Sequence, residues 1–160
     1  MEIRQTEIKD LETVMKLYAD AREFMKANGN ETQWGNTYPE RSLIERDIHE
    51  GKSYICLEED KIIATFYFNI GEDPTYKIIE EGAWLNEMPY AVVHRIVGSG
   101  KKGAASFCLE WCFKQYPNIR IDTHRNNKPM QNLLQKKGFT YCGIIHIGDG
   151  SERIAYQKIK

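Results

Sequence analysis

The chain has 160 residues, a length that fits one domain built around a single hydrophobic core. Its hydrophobic fraction of 41% is that of an ordinary globular protein, and 22 basic residues nearly balance 23 acidic ones. Because the charges balance, the protein has no overall positive electrostatic potential that would attract nucleic acid or an anionic membrane. No apolar run has the length of a membrane span, and the first residues do not form a signal peptide. We therefore expect a single cytoplasmic domain over residues 1–160.

Hydrophobic periodicity divides the first half of the chain into a strand, two helices and a hairpin. In chain order these are the strand Glu2–Thr6, a helix from Leu11 to Met25, a helix from Pro39 to Gly51, and the hairpin strands Ser53–Leu57 and Ile62–Asn69. Asp10 is expected to cap the first helix, and Asn28-Gly29 to end it.

The second half alternates strands and helices. The predicted elements are the strand Tyr90–Val97, the helix Ala104–Tyr116, the strand Ile119–Thr123, the helix Asn127–Lys137, and the strands Phe139–Ile147 and Arg153–Ile159. The segment Tyr76–Asn86 fits a strand, a helix or both. The helical crossover from Tyr90 to Thr123 should leave its two strands parallel. The pattern predicts an α/β fold with a mixed sheet and helices on both faces.

Four cysteines, Cys56, Cys108, Cys112 and Cys142, form no C-x-x-C pair and no secreted disulfide framework. Cys108 and Cys112 lie one helical turn apart, which is more typical of two small core residues than of half a metal site. We therefore expect reduced thiols and no metal.

A glycine-rich turn, Gly98-Ser99-Gly100-Lys101-Lys102-Gly103, links a predicted strand to a helix that begins with small residues. Glycines allow positive φ and close approach of a ligand, and the first amides of a helix have no intrahelical partner. These features predict a phosphate or pyrophosphate site. The turn lacks the Lys-Ser/Thr of a P-loop. It matches the dinucleotide string G-x-G-x-x-G, but no further parallel units follow to build a doubly wound sheet. Two alternatives for this turn stay open: it belongs to a nucleotide-binding module, or it is a structural turn that binds no ligand.

Two segments resemble the GNAT superfamily of acetyl-CoA-dependent N-acetyltransferases. Gly100–Ala105 is similar to the turn of the form Gln/Arg-x-x-Gly-x-Gly/Ala, and Asn127–Phe139 to the helix that starts at asparagine and ends in Gly-Phe. The element order is that of a complete GNAT domain, so the resemblance covers essentially the whole chain.

The resemblance implies acetyl-CoA as cosubstrate, held between two strands that splay apart. It implies cofactor contacts from the following residues: Ile96, Val97 and Gly98 along the pantetheine arm, the amides of Lys101, Lys102, Gly103, Ala104 and Ala105 at the pyrophosphate, and Asn127 on the other side of the arm. The chain departs from the family at Gly100, where Gln or Arg is usual. It also departs at Leu134, where a tyrosine often protonates the leaving thiolate. Another group or solvent must then supply that proton, or the enzyme is degenerate.

Proton removal from the acceptor amine needs a base near neutral pH. We select His124, Asp122 and Tyr90 as catalytic candidates from the side chains on or beside the predicted splayed strands, a set that also contains His94 and Tyr141. In related folds the loop between the first two helices lines the acceptor pocket. Trp34 and Tyr38 in that loop, with Trp84, are therefore the substrate-binding candidates. Each tryptophan also fits a purely structural role.

The predicted function is direct acetyl transfer from acetyl-CoA to a primary amine. The acceptor is a small molecule, an amino acid, a polyamine or a peptide N-terminus; no nucleic acid or membrane partner is expected, and homodimerisation stays open. The alternative is a non-catalytic acyl-CoA-binding or sensing domain of the same fold, favoured by the two departures at Gly100 and Leu134.

Overall fold

The computed structural model describes residues 1–160 and contains seven strands and four α-helices. In chain order the elements are β1 (Glu2–Gln5), α1 (Leu11–Ala27), α2 (Arg41–His49), β2 (Ser53–Glu58), β3 (Lys61–Ile70), β4 (Ala91–Gly98), α3 (Ala104–Gln115), β5 (Asn118–Thr123), α4 (Lys128–Lys136), β6 (Thr140–His146) and β7 (Glu152–Ile159). Every helix and strand predicted from periodicity is present, with slightly shifted ends. None of the helices combines the length and the apolar composition needed to cross a bilayer.

The strands form one mixed sheet in the order β1-β2-β3-β4-β5-β7-β6, flanked by the helices. β4 and β5 run parallel, as the crossover through α3 predicts. The chain divides into two compact units, residues 1–68 with 95–111 and residues 69–94 with 112–160. The α/β mixed sheet predicted from the element order is confirmed.

The parallel pairing of β4 with β5 is short. It joins Ala91 to Ile119 and Val92 to Arg120, and then stops, although β4 continues to Gly98 and β5 to Thr123. The backbone of β4 is also interrupted at Arg95, a non-glycine residue with a φ of 52°. Such a conformation is uncommon outside glycine and breaks the regular pleat of a strand. The predicted separation of the two central strands is therefore visible in their register.

In the first unit, α1 and α2 bury one apolar face each against the sheet. Their core includes Leu11, Val14, Leu17, Tyr18, Ile44, Ile55, Leu57 and Val97. A buried ion pair lies in the same unit, where the Arg95 guanidinium donates to the Asp47 carboxylate. Arg95 also donates to the Tyr38 hydroxyl at 3.0 Å and lies 5.0 Å from the centre of the Tyr67 ring. These contacts hold the residue whose backbone interrupts β4.

In the second unit, the segment Tyr76–Asn86 forms neither a helix nor a strand. A 3-10 turn covers Pro74–Tyr76, and one isolated bridge joins Glu80 to Ile144. The segment is held instead by side chains, because Asn118 and Gln157 both donate to the Asn86 carboxamide oxygen, at 3.1 and 3.2 Å. A segment fixed by distant side chains carries no periodicity of its own, which explains why its sequence was ambiguous.

Arg120 is buried in the same unit and is held mainly by aromatic rings. Its guanidinium lies 4.3 Å from the Trp84 ring centre and 4.1 Å from that of Tyr90. It also donates to the Asn86 carbonyl at 2.9 Å. Burial lowers the pKa of Arg120. The two rings therefore stabilise a desolvated cation through their electron-rich faces.

Asp10 occupies the N-cap position of α1, as predicted, but its side chain does not cap that helix. Asp10 has helical backbone angles, ends a 3-10 turn over Ile8–Asp10, and makes no side-chain cap bond to α1. Its carboxylate instead accepts from the Glu7 amide at 2.8 Å and from the Arg4 guanidinium at 2.9 Å. The carboxylate therefore accepts hydrogen bonds from the preceding turn and not from the amides of the helix.

All four cysteines are free thiols and buried.

Asp47→Ala should lower the free energy of unfolding by about 3–5 kcal/mol, because it leaves the Arg95 charge buried and unpaired. The matched control is Glu12→Ala, which removes a bidentate arginine pair on the exposed surface and should change stability little. Urea unfolding measures both. If both variants lowered the free energy of unfolding by the same small amount, the Asp47–Arg95 pair would not contribute to the stability of the first unit.

Candidate functional site

The turn between β4 and α3 has the open geometry that a phosphate site requires. Gly100 and Gly103 have φ values of 95° and 83°, and an added Cβ at either would meet no atom within 4 Å. The Ser99 amide donates to the Ile63 carbonyl at 2.9 Å and fixes the start of the turn on β3. Both glycines are thus required by backbone conformation, while their surroundings leave space for a ligand.

Most of the predicted amide donors in this turn are unused by the protein. The Ala104 amide donates to the Lys101 carbonyl at 3.3 Å, and the Phe107 amide to the Gly103 carbonyl at 2.9 Å. The amides of Lys101, Lys102, Gly103 and Ala105 donate to no backbone carbonyl. They lie at the positive end of the α3 dipole, where an anion is stabilised. One predicted donor, Ala104, is therefore already used within the turn.

Charged side chains around the turn are mainly basic. Lys101 and Lys102 are exposed, and the Lys101 ammonium lies 3.6 Å from the Glu58 carboxylate. In β4, Ile96 and Val97 are buried and Gly98 is exposed. The side chains of Ile96 and Val97 therefore belong to the core, and both residues come after the last pair that β4 makes with β5.

Asn127 is the N-cap of α4, so the helix begins at Lys128, one residue later than predicted. Its side-chain oxygen accepts from the Met130 amide at 3.2 Å. Leu134, which stands where the resemblance places a tyrosine, has no exposed surface. Residue 134 therefore belongs to the core of the second unit, and no proton donor for the thiolate can come from it.

The three catalytic candidates lie in three different environments. Asp122 accepts from the buried Tyr76 hydroxyl at 2.6 Å. The Tyr90 hydroxyl accepts from the Asp73 amide at 3.0 Å, and its ring covers Arg120. His124 follows the end of β5, and its Nδ1 accepts from the Asn126 amide at 3.0 Å.

Electrostatics disfavour a proton on His124. Its pKa lies below the usual value because burial and the nearby charges of Arg153 and Arg125 disfavour the imidazolium. For Tyr76, burial and the charge of Asp122 raise the pKa well above the usual value. The phenol of Tyr76 therefore keeps its proton and holds the Asp122 carboxylate in place.

The structure brings together a histidine and a carboxylate that sequence reasoning did not combine. His94 Nε2 lies 2.8 Å from Asp73 Oδ2, and the two side chains are 25% and 17% exposed. Burial alone would raise the pKa of Asp73, but hydrogen bonds from His94 and Thr75 lower it to about 2. The sequence shows His94 on a strand and Asp73 in an Asp-Pro-Thr turn, and no local pattern links them.

The substrate-binding candidates also separate. Trp34 packs edge-on against Tyr18 and Tyr38, with ring centres 5.8 Å apart in both pairs. Tyr38 is 39% exposed and accepts from Arg95. Trp84 is buried in the second unit, where its indole N–H donates to the Tyr76 carbonyl at 2.9 Å. Trp84 therefore offers little surface to an acceptor, whereas Tyr38 offers much more.

Solved structures of bacterial acetyltransferases are similar to this chain over nearly its whole length. A GNAT-family acetyltransferase from Streptococcus agalactiae is 32% identical, with a TM-score of 0.90 over 99% of this chain and 95% of that chain. A putative acetyltransferase from Staphylococcus aureus is 27% identical, with a TM-score of 0.72 over 99% of each chain. A ribosomal-protein-alanine N-acetyltransferase from Brucella melitensis, 15% identical, shares the fold with a TM-score of 0.66 over 100% of both chains.

No protein-family model matches the chain, and neither does any curated protein. Solved structures therefore show the relationship, and the streptococcal protein combines 32% sequence identity with a nearly complete structural match. The chain belongs to the GNAT family of acetyltransferases.

Proposed function

We propose that this protein transfers the acetyl group of acetyl-CoA directly to a primary amine, and that the whole chain acts as one catalytic domain. The observation that carries the proposal is the open glycine turn at the end of β4, where four amides donate to no backbone carbonyl and both glycines have open surroundings. Family membership supports acetyl transfer as the chemistry. The acceptors that fit the proposal are small amines, amino acids, polyamines and peptide N-termini. The buried free thiols suit a reducing compartment, and we propose the cytoplasm.

Acetyl-CoA would be held by two sets of backbone groups. The amides of Lys101, Lys102, Gly103 and Ala105 suit the pyrophosphate, because they are unpaired and lie at the N-terminus of α3. The β4 backbone from Ile96 to Gly98 suits the amide groups of the pantetheine arm, because it continues past its last pair with β5. When bound, the cosubstrate supplies the activated thioester.

The protein's own task is to orient the acceptor and move protons. The acceptor must lose one proton before its nitrogen lone pair can attack the thioester carbonyl carbon. The C–S bond then breaks, and the sulfur leaves as a thiolate that must gain a proton. Backbone donors positioned at the developing oxyanion lower the barrier, since they need no reorganisation during the reaction. Tyr38 and Trp34 form an aromatic wall in the first unit that suits the apolar part of an acceptor.

A second candidate function is acyl-CoA binding without turnover. It is favoured by one observation, the buried Leu134 in the place of the family's proton-donating tyrosine. Such a domain would keep the turn and the cofactor arm site but release no CoA in the presence of an amine.

Gly103→Asp should remove the stabilisation that acetyl-CoA gives, because its carboxylate would repel the pyrophosphate. For the wild type, ligand at 100 times its Kd should raise the Tm by roughly 5–10 °C. Gly150→Asp is the matched control, since Gly150 has a similar φ of 86° and equally open surroundings. Both variants should lose similar stability without ligand, and only Gly103→Asp should lose the shift. A normal shift in Gly103→Asp would exclude the turn as the cofactor site.

Acetyl-CoA incubated with a panel of amines should release CoA with at least one of them. The panel comprises a polyamine, free amino acids, an arylalkylamine and short peptides with free N-termini. Thiol release and the mass of the acetylated product are measured together, because hydrolysis also frees the thiol. Cofactor binding without any acetylated product would favour the acyl-CoA-binding alternative and contradict acetyl transfer.

A further inference from the structure

We infer that Glu58, the last residue of β2, competes with the pyrophosphate of the coenzyme for the Lys101 side chain, and that it thereby weakens coenzyme binding and speeds the release of CoA. The inference rests on the proposed function and adds a residue that was not among the selected candidates. It starts from an ion pair within the first unit, in which the Lys101 ammonium lies 3.6 Å from Glu58 Oε2.

The end of the β2–β3 hairpin lies directly beside the glycine turn. The Ser99 amide donates to the Ile63 carbonyl of β3 at 2.9 Å, and a Cβ added at Gly98 would come within 3.4 Å of the same oxygen. Glu58 is the register partner of Lys61, which precedes Ile63 on the same strand. The backbone of the hairpin therefore packs against the turn, and this places Glu58 within reach of Lys101.

The two partners of the ion pair differ in their freedom to move. The Lys101 side chain is 52% exposed and has a long flexible stem, whereas the Glu58 side chain is 34% exposed. Glu58 Oε2 is inaccessible to solvent and accepts no hydrogen bond, and 3.6 Å is too long for one from the ammonium. The ammonium can therefore turn to another anion, while the carboxylate stays beside the turn.

A pyrophosphate in the turn would meet both groups. Four amides of the turn donate to no backbone carbonyl and lie at the N-terminus of α3, where the helix dipole favours an anion. Lys101 adds positive charge at this position, and Glu58 removes part of it. Bound phosphate gains the ammonium only if the ion pair with Glu58 is given up, and the carboxylate then faces a second negative group. Both effects weaken binding.

Weaker binding of this kind serves turnover, because the pyrophosphate is the same in acetyl-CoA and in CoA. An interaction that is equal in substrate, transition state and product does not accelerate the chemical step. It does slow the departure of the product, and product release limits the rate of many enzymes. A carboxylate that competes for Lys101 therefore shortens the residence time of CoA and leaves the reacting atoms untouched.

The experiment measures coenzyme binding in Glu58→Gln, with Glu59→Gln as the matched control. Glu59 is the next residue of the same hairpin and is exposed, so the control removes the same charge without removing the ion pair. At low ionic strength, Glu58→Gln should lower the Kd of both acetyl-CoA and CoA by about threefold to fivefold, and Glu59→Gln should change it much less. Calorimetry gives the Kd, and stopped-flow displacement gives the rate of CoA dissociation, which should fall in Glu58→Gln.

A double-mutant cycle with Lys101→Met separates competition for the ammonium from simple repulsion. The gain from Glu58→Gln should be smaller in the Lys101→Met background, because no ammonium remains to be released. It should also shrink as salt is added. S-acetylpantetheine, which lacks the pyrophosphate, should bind equally to all four proteins of the cycle. Circular dichroism and the Tm without ligand show whether each variant folds, and Glu58→Ala repeats the test should Glu58→Gln fail to fold.

The outcomes distinguish the inference from the function on which it rests. An unchanged or higher Kd in Glu58→Gln overturns the inference, and so does an equal gain in Glu59→Gln or in the Lys101→Met background. Acetyl transfer is measured separately with the amine panel and stands in each of these cases. A wild type that binds acetyl-CoA but acetylates no amine overturns the proposed function, while the competition for Lys101 stands. A wild type that binds neither acetyl-CoA nor CoA overturns both.

Discussion

The structure depends on one constraint, the early end of hydrogen bonding between the parallel strands β4 and β5. The register between the strands consists of two residue pairs, at Ala91 and Val92, although both strands continue beyond them. Backbone groups that lose a sheet partner are costly unless another partner satisfies them. A linear ligand with its own amide groups is such a partner. Along the chain, the end of the β4–β5 pairing is therefore followed by the turn at Gly100–Gly103 and then by the N-terminus of α3.

Buried charge stabilises the surroundings of this break in two ways. In the first unit, Asp47 neutralises Arg95, whose backbone interrupts β4. In the second unit, the Arg120 guanidinium is held between the rings of Trp84 and Tyr90. Its burial is tolerated there because aromatic faces and the Asn86 carbonyl replace part of its hydration. Trp84 and Tyr90, selected from the sequence as site residues, thus have contacts that explain their burial.

The fold could be predicted because its signals are local. Periodicity, Gly-Phe after α4 and glycines at the β4–α3 turn each act within a few residues, and the parallel pair follows from the crossover rule. The site could be predicted only in part. The turn amides could be predicted as phosphate donors because helix N-termini bind anions through backbone geometry. Of these amides, that of Ala104 is used within the turn. The His94–Asp73 contact was missed because it joins a strand to a loop that has no periodic pattern.

Hydrogen exchange with and without acetyl-CoA tests the central claim most directly. The account predicts that the cosubstrate slows exchange at Lys101–Ala105 and at the β4 amides from Ile96 to Gly98, with little change at the β6–β7 hairpin around Gly150. Ligand-dependent protection confined to those two stretches and their neighbours would establish that the break in the sheet receives the cofactor. Saturating acetyl-CoA that leaves exchange at both stretches unchanged would contradict the account.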